Sequence, residues 1–484
     1  MARTRIFRGC SIAGLVVISV FALGQDLEST VKVGNGQAFT GGVFNGIDYQ
    51  SGQCITNLQR EQIKARIQHN RIELGLNNDA GANKESGSIT LLDWPMKWAS
   101  GHSGYGYYTL ANQVDQNLGF PNQLLDYNCG TRTYDLSTGY NHQGTDIVLW
   151  PFRWKKMDDN AVEVIAAAAG TIVLKDNGNA DKNCAFSTLP WNAIYIEHPD
   201  GSVAWYGHFK KNSLTSKGVG SSVAKGEFLG YIGSSGSSTA PHLHFEIYDS
   251  GGNLVDPYQG TCNFMNGVTW WNNQTSYIDN GINRIYTHYK PPELFSCTNA
   301  ITHEANFFLE QDTVYLLLYF RHLLTGDSVE ITITQPDNTI WNNWTWTSTW
   351  QFYLSAYVYW WFLPGNGAQT GVWKYEATYD GQSYAHNFTV GSPTAIDESY
   401  QAYADIIIYP NPSTGHFIIR SATGFTENQP IKVYNSIGQM VFETFIPNNN
   451  IQYYSINLTA LNKGIYFLTI ESKGKSVRKK ISII

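Results

Sequence analysis

Charge is scarce in this 484-residue chain: Lys, Arg, Asp and Glu together make up 15% of it, against roughly 25% in an ordinary soluble domain. Basic residues are the scarcer kind, 32 Lys and Arg against 39 Asp and Glu, for a net charge of −7. Binding to nucleic acid needs the reverse balance, because Lys and Arg must neutralise phosphates; that partner class is excluded. Proline, at 16 residues, is too sparse for a collagen-like or Pro-rich disordered chain. Long apolar runs are missing as well: beyond Leu23 no stretch approaches the ~20 residues needed to span a bilayer. Cysteine is limited to six residues, none in a CxxC spacing, which argues against a cysteine zinc site.

What the chain has instead is apolar and aromatic. Hydrophobic residues reach 42% and aromatics 14%, with 45 glycines, a mixture suited to β-rich extracellular domains, whose half-buried pleated faces favour large flat side chains. The length suggests about three domains. Arg3, Arg5 and Arg8 precede a short apolar run, Ile12 to Leu23, and Ala22-Leu23-Gly24 offers small residues before Gln25. That pattern predicts a cleaved signal peptide over residues 1–24. Cys10 lies ahead of the apolar run and is not placed as a lipoprotein cysteine. Cys54, Cys129, Cys184, Cys262 and Cys297 then remain; in an oxidising compartment one or two disulfides are expected, and the odd count leaves a thiol over. The pairing is not fixed by sequence.

The predicted fold class is mainly β: an antiparallel β domain with a partly helical lead-in, then an immunoglobulin-like β-sandwich and a small C-terminal β-sandwich. In the lead-in, residues 25–135, Thr56 is placed to cap a helix running to about Leu76, with Leu58, Ile63, Ile67 and Ile72 at loose helical spacing and Gly75 near its end. Asn77 to Ser88 reads as a loop. Residues 136–260 show short β-runs broken by glycines, among them Gly170–Leu174, Ala193–Ile196 and His242–Tyr248. A connecting segment, 261–299, leads to the sandwich, 300–392. There Trp344, Trp346, Trp350, Phe352 and Leu354 share one parity, which predicts one face of one extended strand. Such a row belongs more readily to a core than to a sugar-binding platform. Residues 393–404 read as a linker and 405–484 as the terminal β domain.

Three histidine motifs fall within the β domain: His142-Gln143-Gly144-Thr145-Asp146, Trp205-Tyr206-Gly207-His208, and Pro241-His242-Leu243-His244-Phe245-Glu246. His142 and Asp146 share a parity, as do His242 and His244, so each pair projects to one side of a strand. Two neutral imidazoles and one carboxylate leave a zinc ion a net positive charge and an open position. Singly each motif is weak; together, in this order, they are specific.

These stretches, with Gly170-Thr171-Ile172-Val173, Lys225-Gly226-Glu227 and Gly233-Ser234-Ser235-Gly236, resemble the lysostaphin/LytM-type zinc endopeptidases, a family of peptidoglycan hydrolases. The resemblance implies Zn²⁺ as cofactor, with His142, Asp146 and His244 as metal ligands and His208 and His242 as catalytic histidines that orient the water and stabilise the oxyanion. Glu246, two residues beyond His244, is either a partner of that histidine or a strand-end carboxylate. Ala240, Phe209 and a longer insert from about Lys175 to Trp191, carrying Cys184 and expected to line one wall of the cleft, depart from the family pattern and bear on substrate choice. A second resemblance covers the C-terminus. Tyr409-Pro410-Asn411-Pro412-Ser413-Thr414-Gly415, Ile431–Asn435, Ile437-Gly438-Gln439 and Leu461–Phe467 are similar to the type A sorting domain of the type IX secretion system. It implies engagement of that machinery, passage through the periplasm and across the outer membrane, and release or surface attachment. The implied activity is hydrolysis of peptide bonds in peptidoglycan cross-bridges or glycine-rich protein. The alternatives are an inactive wall-binding or protein-binding member of the fold, which the intact motif set disfavours, and an adhesin that works through its aromatic module.

Overall fold

The computed structural model describes residues 29–32, 38–45, 52–76, 89–391 and 406–484, apart from residues 295, 350–352, 366–367, 426–427, 448–450 and 473–474. The expected signal peptide, the Asn77–Ser88 stretch and the linker at 393–404 lie outside the described residues. The protein is mainly β, built almost entirely of antiparallel sheets. Among the described residues, no helix is long and apolar enough to cross a membrane.

The helix of the lead-in forms where its cap is encoded. In α1 (Asn57–Glu73) the Thr56 hydroxyl accepts from the Gln59 amide, and the Gln59 side chain accepts from the Thr56 amide, a reciprocal box that satisfies two otherwise orphaned donors. Gly75, at φ +71°, ends it in the left-handed conformation that glycine tolerates. Its apolar stripe is narrower than the spacing predicts. Ile63 and Ile67 are buried, but Leu58 and Ile72 are exposed at 68% and 57%. The position between them goes to Arg60, which is itself buried.

The helix covers one face of an eight-stranded sheet: β1 (Tyr108–Asn112), β2 (Thr145–Leu149), β3 (Gly170–Asp176), β4 (Ala193–Glu197), β5 (Val203–Gly207), β6 (Ser222–Val223), β7 (His242–Tyr248) and β8 (Leu254–Val255). The order is β6-β3-β4-β5-β7-β2-β1, with β8 pairing β7. Strand parity divides its residues cleanly. Ile194, Ile196, Ala204, Tyr206, Leu243, Phe245 and Ile247 pack with a second sheet made of Met96–Trp98, Val162–Ile165 and Phe228–Tyr231. Tyr195, Val203, Trp205 and Tyr248 face the other way, against Ile63 and Ile67. His242, His244 and Glu246 share the parity of Tyr248, so they belong to the helix-covered face, and a one-residue slip would exchange them for core apolar groups.

Disulfides join Cys129 to Cys262 and Cys184 to Cys297, with Cα atoms 5.1 and 6.0 Å apart, and Cys54 stays free and buried. The second bond ties the 175–191 insert to the segment between Gly281–His288 and Phe307–Phe308, two strands of the aromatic sandwich.

That sandwich has two five-stranded sheets. One runs Ser29–Lys32, Ala38–Asn45, Tyr353–Phe362, Val314–Leu323, Gly281–His288; the other Phe307–Phe308, Gln382–Val390, Gly371–Tyr379, Ser328–Thr334, Ile340–Thr347. Leu316, Leu318, Phe320, Ile331, Trp360, Trp373 and Phe388 fill the space between them. The single strand predicted from Trp344 to Leu354 is not formed. The chain leaves Ile340–Thr347 at Ser348 and re-enters as Tyr353–Phe362 in the opposite sheet. Trp346 is core, and Trp344 is half-buried with its ring 5.3 Å from that of Trp360; Trp350 and Phe352 lie outside the described residues. The C-terminal block packs a three-stranded sheet on a four-stranded one around Phe417, Ile419, Val433 and Leu468.

Candidate metal centre

The three histidine motifs meet because β7 lies between β5 and β2. Register places His244 opposite Asp146 on β2 and opposite Gly207 on β5, one residue before His208. His142, just ahead of β2, is brought in by its ring nitrogen, 3.1 Å from Asp146 Oδ2. His244 Nδ1 lies 2.7 Å from Asp146 Oδ1, and His242 Nε2 3.7 Å from the same oxygen. His142, Asp146, His208 and His244 are fully buried and His242 nearly so. All five expected site residues are therefore together. A Cβ at Gly144 would fall 2.7 Å from the His244 ring, so glycine makes room for that ring to reach Asp146.

The outward nitrogens are all occupied. His142 Nδ1 is 2.8 Å from the Gln113 carbonyl, His208 Nδ1 2.6 Å from that of Ser235, and His242 Nδ1 2.8 Å from that of Ala240. A carbonyl can only accept, so each of these nitrogens carries a proton, and in the neutral ring each Nε2 is left with a lone pair. Those three Nε2 atoms are buried and have no hydrogen-bond partner. Buried polar atoms are rarely left so, and two of these, on His142 and His242, lie 3.1 and 3.7 Å from the Asp146 carboxylate. His244 is turned the other way: its Nε2 faces Glu246 Oε1 at 2.7 Å, and its Nδ1 points to Asp146.

Glu246 thus resolves as a partner of His244, buried to 1% exposure rather than a strand-end carboxylate. Arg60 of α1 donates to both of its oxygens, and Tyr248 donates to Oε2 at 2.8 Å. Burial alone would raise Glu246; Arg60 and His244 outweigh it and lower the carboxyl to about 2. Burial also opposes protonation of His142, yet Asp146 overrides it and pushes the imidazole up to about 9, while Asp146 is held well below the carboxylate range by His142 and His244. The buried carboxylate demands a positive charge beside it. His208 differs: burial, then neighbouring His242, lower it, leaving a neutral ring. Its backbone sits at φ +66°, a left-handed conformation uncommon for a non-glycine residue and of the kind that collects at functional sites.

Two metal-capable groups emerge among the described residues: Cys54 with His142, Asp146 and His244, and Cys54 with His208 and His242, the candidate ligand atoms of each lying within 4.8 Å of one another. A metal fits here, by donor chemistry and by the unpartnered inner nitrogens. Cys54 stands among these candidate ligand atoms although no cysteine has a CxxC spacing. CxxC spacing tests only neighbours in sequence, whereas Cys54 arrives from 88 positions ahead of His142. Arg60 and Tyr248 were also missed; the odd cysteine count was the one signal that pointed toward Cys54. The 175–191 insert runs beside the glycine turn, through bridges of Lys182 to Ser234 and Ala185 to Ser238, and its Trp191 ring lies 5.1 Å from His208 and 5.8 Å from His244.

Residues 140–257 match Peptidase family M23, and residues 407–484 match the secretion system C-terminal sorting domain. A DD-carboxypeptidase/endopeptidase Mpg of Neisseria meningitidis is 42% identical over 60 residues, 12% of this chain and 13% of that protein. An uncharacterized metalloprotease of Buchnera aphidicola is 32% identical over 83 residues, 17% of this chain and 21% of that protein. The shared stretch thus spans a small part of either relative. The catalytic domain of lysostaphin from Staphylococcus simulans has 24% identity and a TM-score of 0.20, covering 31% of this chain and 89% of that one. The chain carries a peptidase domain of family M23 over residues 140–257 and a secretion system C-terminal sorting domain over residues 407–484.

Proposed function

We propose that the protein is a secreted zinc endopeptidase of the lysostaphin/LytM type that cuts peptide bonds in peptidoglycan cross-bridges or glycine-rich protein. The observation that carries this is the convergence of unpartnered, buried imidazole nitrogens on Asp146. His142, Asp146 and His244 would hold the ion through Nε2, a carboxylate oxygen and Nδ1. Bound there, zinc supplies Lewis-acid polarisation of a carbonyl and brings the pKa of a water to roughly 7. The chain's own residues do the rest. The Gln113 carbonyl fixes the His142 tautomer and Glu246 fixes that of His244, so each presents a lone pair inward. His208, neutral and aimed inward, takes the proton from the attacking water and returns it to the leaving amine. His242, its Nδ1 held by the Ala240 carbonyl, borders the carbonyl oxygen and stabilises the charge that develops there. The sorting domain marks the chain for type IX export to the cell surface or beyond; its route through the periplasm and across the outer membrane is part of this proposal.

The test is zinc content of the mature protein together with hydrolysis of purified sacculi and of glycine-rich peptides. About one zinc per chain with new amine termini released is expected. Stoichiometric zinc without cleavage of either substrate, by the mature protein and by its Cys54→Ser variant alike, sinks the endopeptidase reading in favour of a binding member of the fold.

A further inference from the structure

Cys54 stands where the proposed reaction needs open space. It belongs to both metal-capable groups, so its sulfur lies between the His142, Asp146, His244 set and the His208, His242 pair. A substrate carbonyl and a water have to enter between those same two sets. The thiol is 4% exposed, unpaired, and 3.1 Å from the Tyr134 hydroxyl.

A free buried cysteine usually behaves as a small apolar group among apolar neighbours. Cys54 faces a carboxylate and ring nitrogens, and His142, His208 and His242 each keep a buried Nε2 without a partner. Its placement is also fixed along the chain. At Gly52 an added Cβ would come within 2.2–2.5 Å of the Phe186 ring, so the backbone lies flat against the 175–191 insert. The Gln53 carbonyl accepts from Ser237 Oγ of the glycine turn at 2.6 Å. Ile55 is buried in the cluster that contains Val173, Trp191 and Ala193, and Thr56 then caps α1, whose Arg60 grips Glu246. Residues 52–56 form a strap from the insert, over the histidines, to the helix.

We propose that Cys54 is a fourth protein ligand of the metal held by His142, Asp146 and His244, so that the chain with its strap in place is latent and gains peptidase activity when the strap leaves. This rests on the zinc reading above. A thiolate is a favoured zinc ligand, and four protein ligands make a closed, structural type of site, where three leave a catalytic opening. One thiolate, one carboxylate and two neutral imidazoles also cancel the charge of a divalent ion, which weakens its Lewis acidity toward a substrate carbonyl. The strap thus lies at a centre whose other groups are buried, whereas a working centre has to admit a peptide.

The test loads the full chain with Co²⁺ as a spectroscopic substitute for zinc. The expected result is one cobalt per chain with a thiolate-to-cobalt charge-transfer band in the near ultraviolet, absent from Cys54→Ser although cobalt remains bound. Cys54→Ser loaded with zinc should also hydrolyse glycine-rich peptide faster than the parent chain, by roughly tenfold or more as the competent fraction rises. A band that persists in Cys54→Ser, or a parent chain with stoichiometric cobalt and no such band, overturns the cysteine assignment while leaving the metal reading intact. Failure of both proteins to bind cobalt overturns the metal reading, and this inference with it. A measurement without any variant guards against misfolding: iodoacetamide should label Cys54 of the parent chain faster after the metal is stripped by a chelator, and equal labelling with and without metal also refutes the proposal.

Discussion

Two groups of buried histidines lie in this chain, and they solve burial in opposite ways. In the aromatic sandwich, buried His288 and His303 and half-buried His386 sit near an ion pair of Arg284 with Glu304. The buried carboxylate has its cation, His386 Nε2 meets the Thr287 hydroxyl at 2.8 Å, and the ring lies 3.9 Å from that of Tyr286. Burial pushes His288 and His386 down to about 3 and His303 to about 4. In the peptidase sheet the carboxylate of Asp146 has imidazoles where Glu304 has a guanidinium, and the inner nitrogens of three rings have no partner. Histidine count does not separate a metal centre from a structural cluster. What separates them is whether the buried charge has been neutralised by the chain itself.

Substitution of the carboxylates should break the symmetry most sharply. In the Cys54→Ser background, Asp146→Ala, like His142→Ala and His244→Ala, is expected to fall from about one zinc per chain to almost none and to lose all hydrolysis, since two ligands do not hold a catalytic zinc tightly. Glu304→Ala in the sandwich should cost stability through the unpaired Arg284 and leave zinc content unchanged. Metal analysis on purified variants checks both, and full zinc in Asp146→Ala would remove the distinction between the clusters.

A smaller effect separates the groups inside the peptidase site. His208→Ala should keep its zinc while the rate falls by about 10²- to 10⁴-fold, the range for losing a general acid–base group. Zinc loss in that variant, or near-normal turnover, would show that its role and that of His244 have been exchanged. Next comes the support. Glu246→Gln keeps the shape but gives up the charge that Arg60 and His244 share, and metal affinity should drop by about 10- to 100-fold, measurable by competition with a chromophoric chelator. An unchanged affinity would mean that the Arg60–Glu246 pair holds α1 on the sheet and nothing more.

How much of this was readable from sequence depends on the range of each contact. His142 with Asp146, and His242 with His244 and Glu246, were readable because strand parity puts residues of equal parity on one side, whatever the rest of the fold does. The Thr56 cap was readable for the same local reason. Cys54, Arg60 and the Gln113 carbonyl were not, because their positions come from packing a helix and a strap onto a sheet formed far along the chain. The tryptophan row failed at Ser348, where the chain changes sheets; parity persists across a turn, but the face it describes does not. The cysteines illustrate both sides: an odd count foretold one free thiol, and nothing in the spacing foretold where it would lie.

The smallest effect expected concerns acid, and it is read in the sandwich. A histidine whose folded pKa is pulled below its ordinary value of about 6.5 adds stability that is complete above that pH and is lost as pH falls toward the folded value. With His288 and His386 at about 3, the loss begins near pH 6.5 and continues to about pH 3. The groups facing these rings are Arg284, Glu304, His303 and Tyr319, and of these Glu304 alone favours the protonated form, without outweighing burial. One pH unit below the ordinary pKa, at about pH 5.5, each ring should cost up to about 1.4 kcal/mol. Hydrogen exchange of the amides in Gly281–His288, corrected for intrinsic rates, should therefore quicken between pH 7.5 and 5.5, by up to about tenfold per ring. His386→Gln keeps a group that can bond to Thr287 and cannot titrate, so it should remove part of that acceleration. Equal acceleration in the variant and the parent chain would mean that His386 carries none of the acid sensitivity, and protection unchanged over this range would mean that the sandwich tolerates a charge where the contrast with the peptidase site says it cannot.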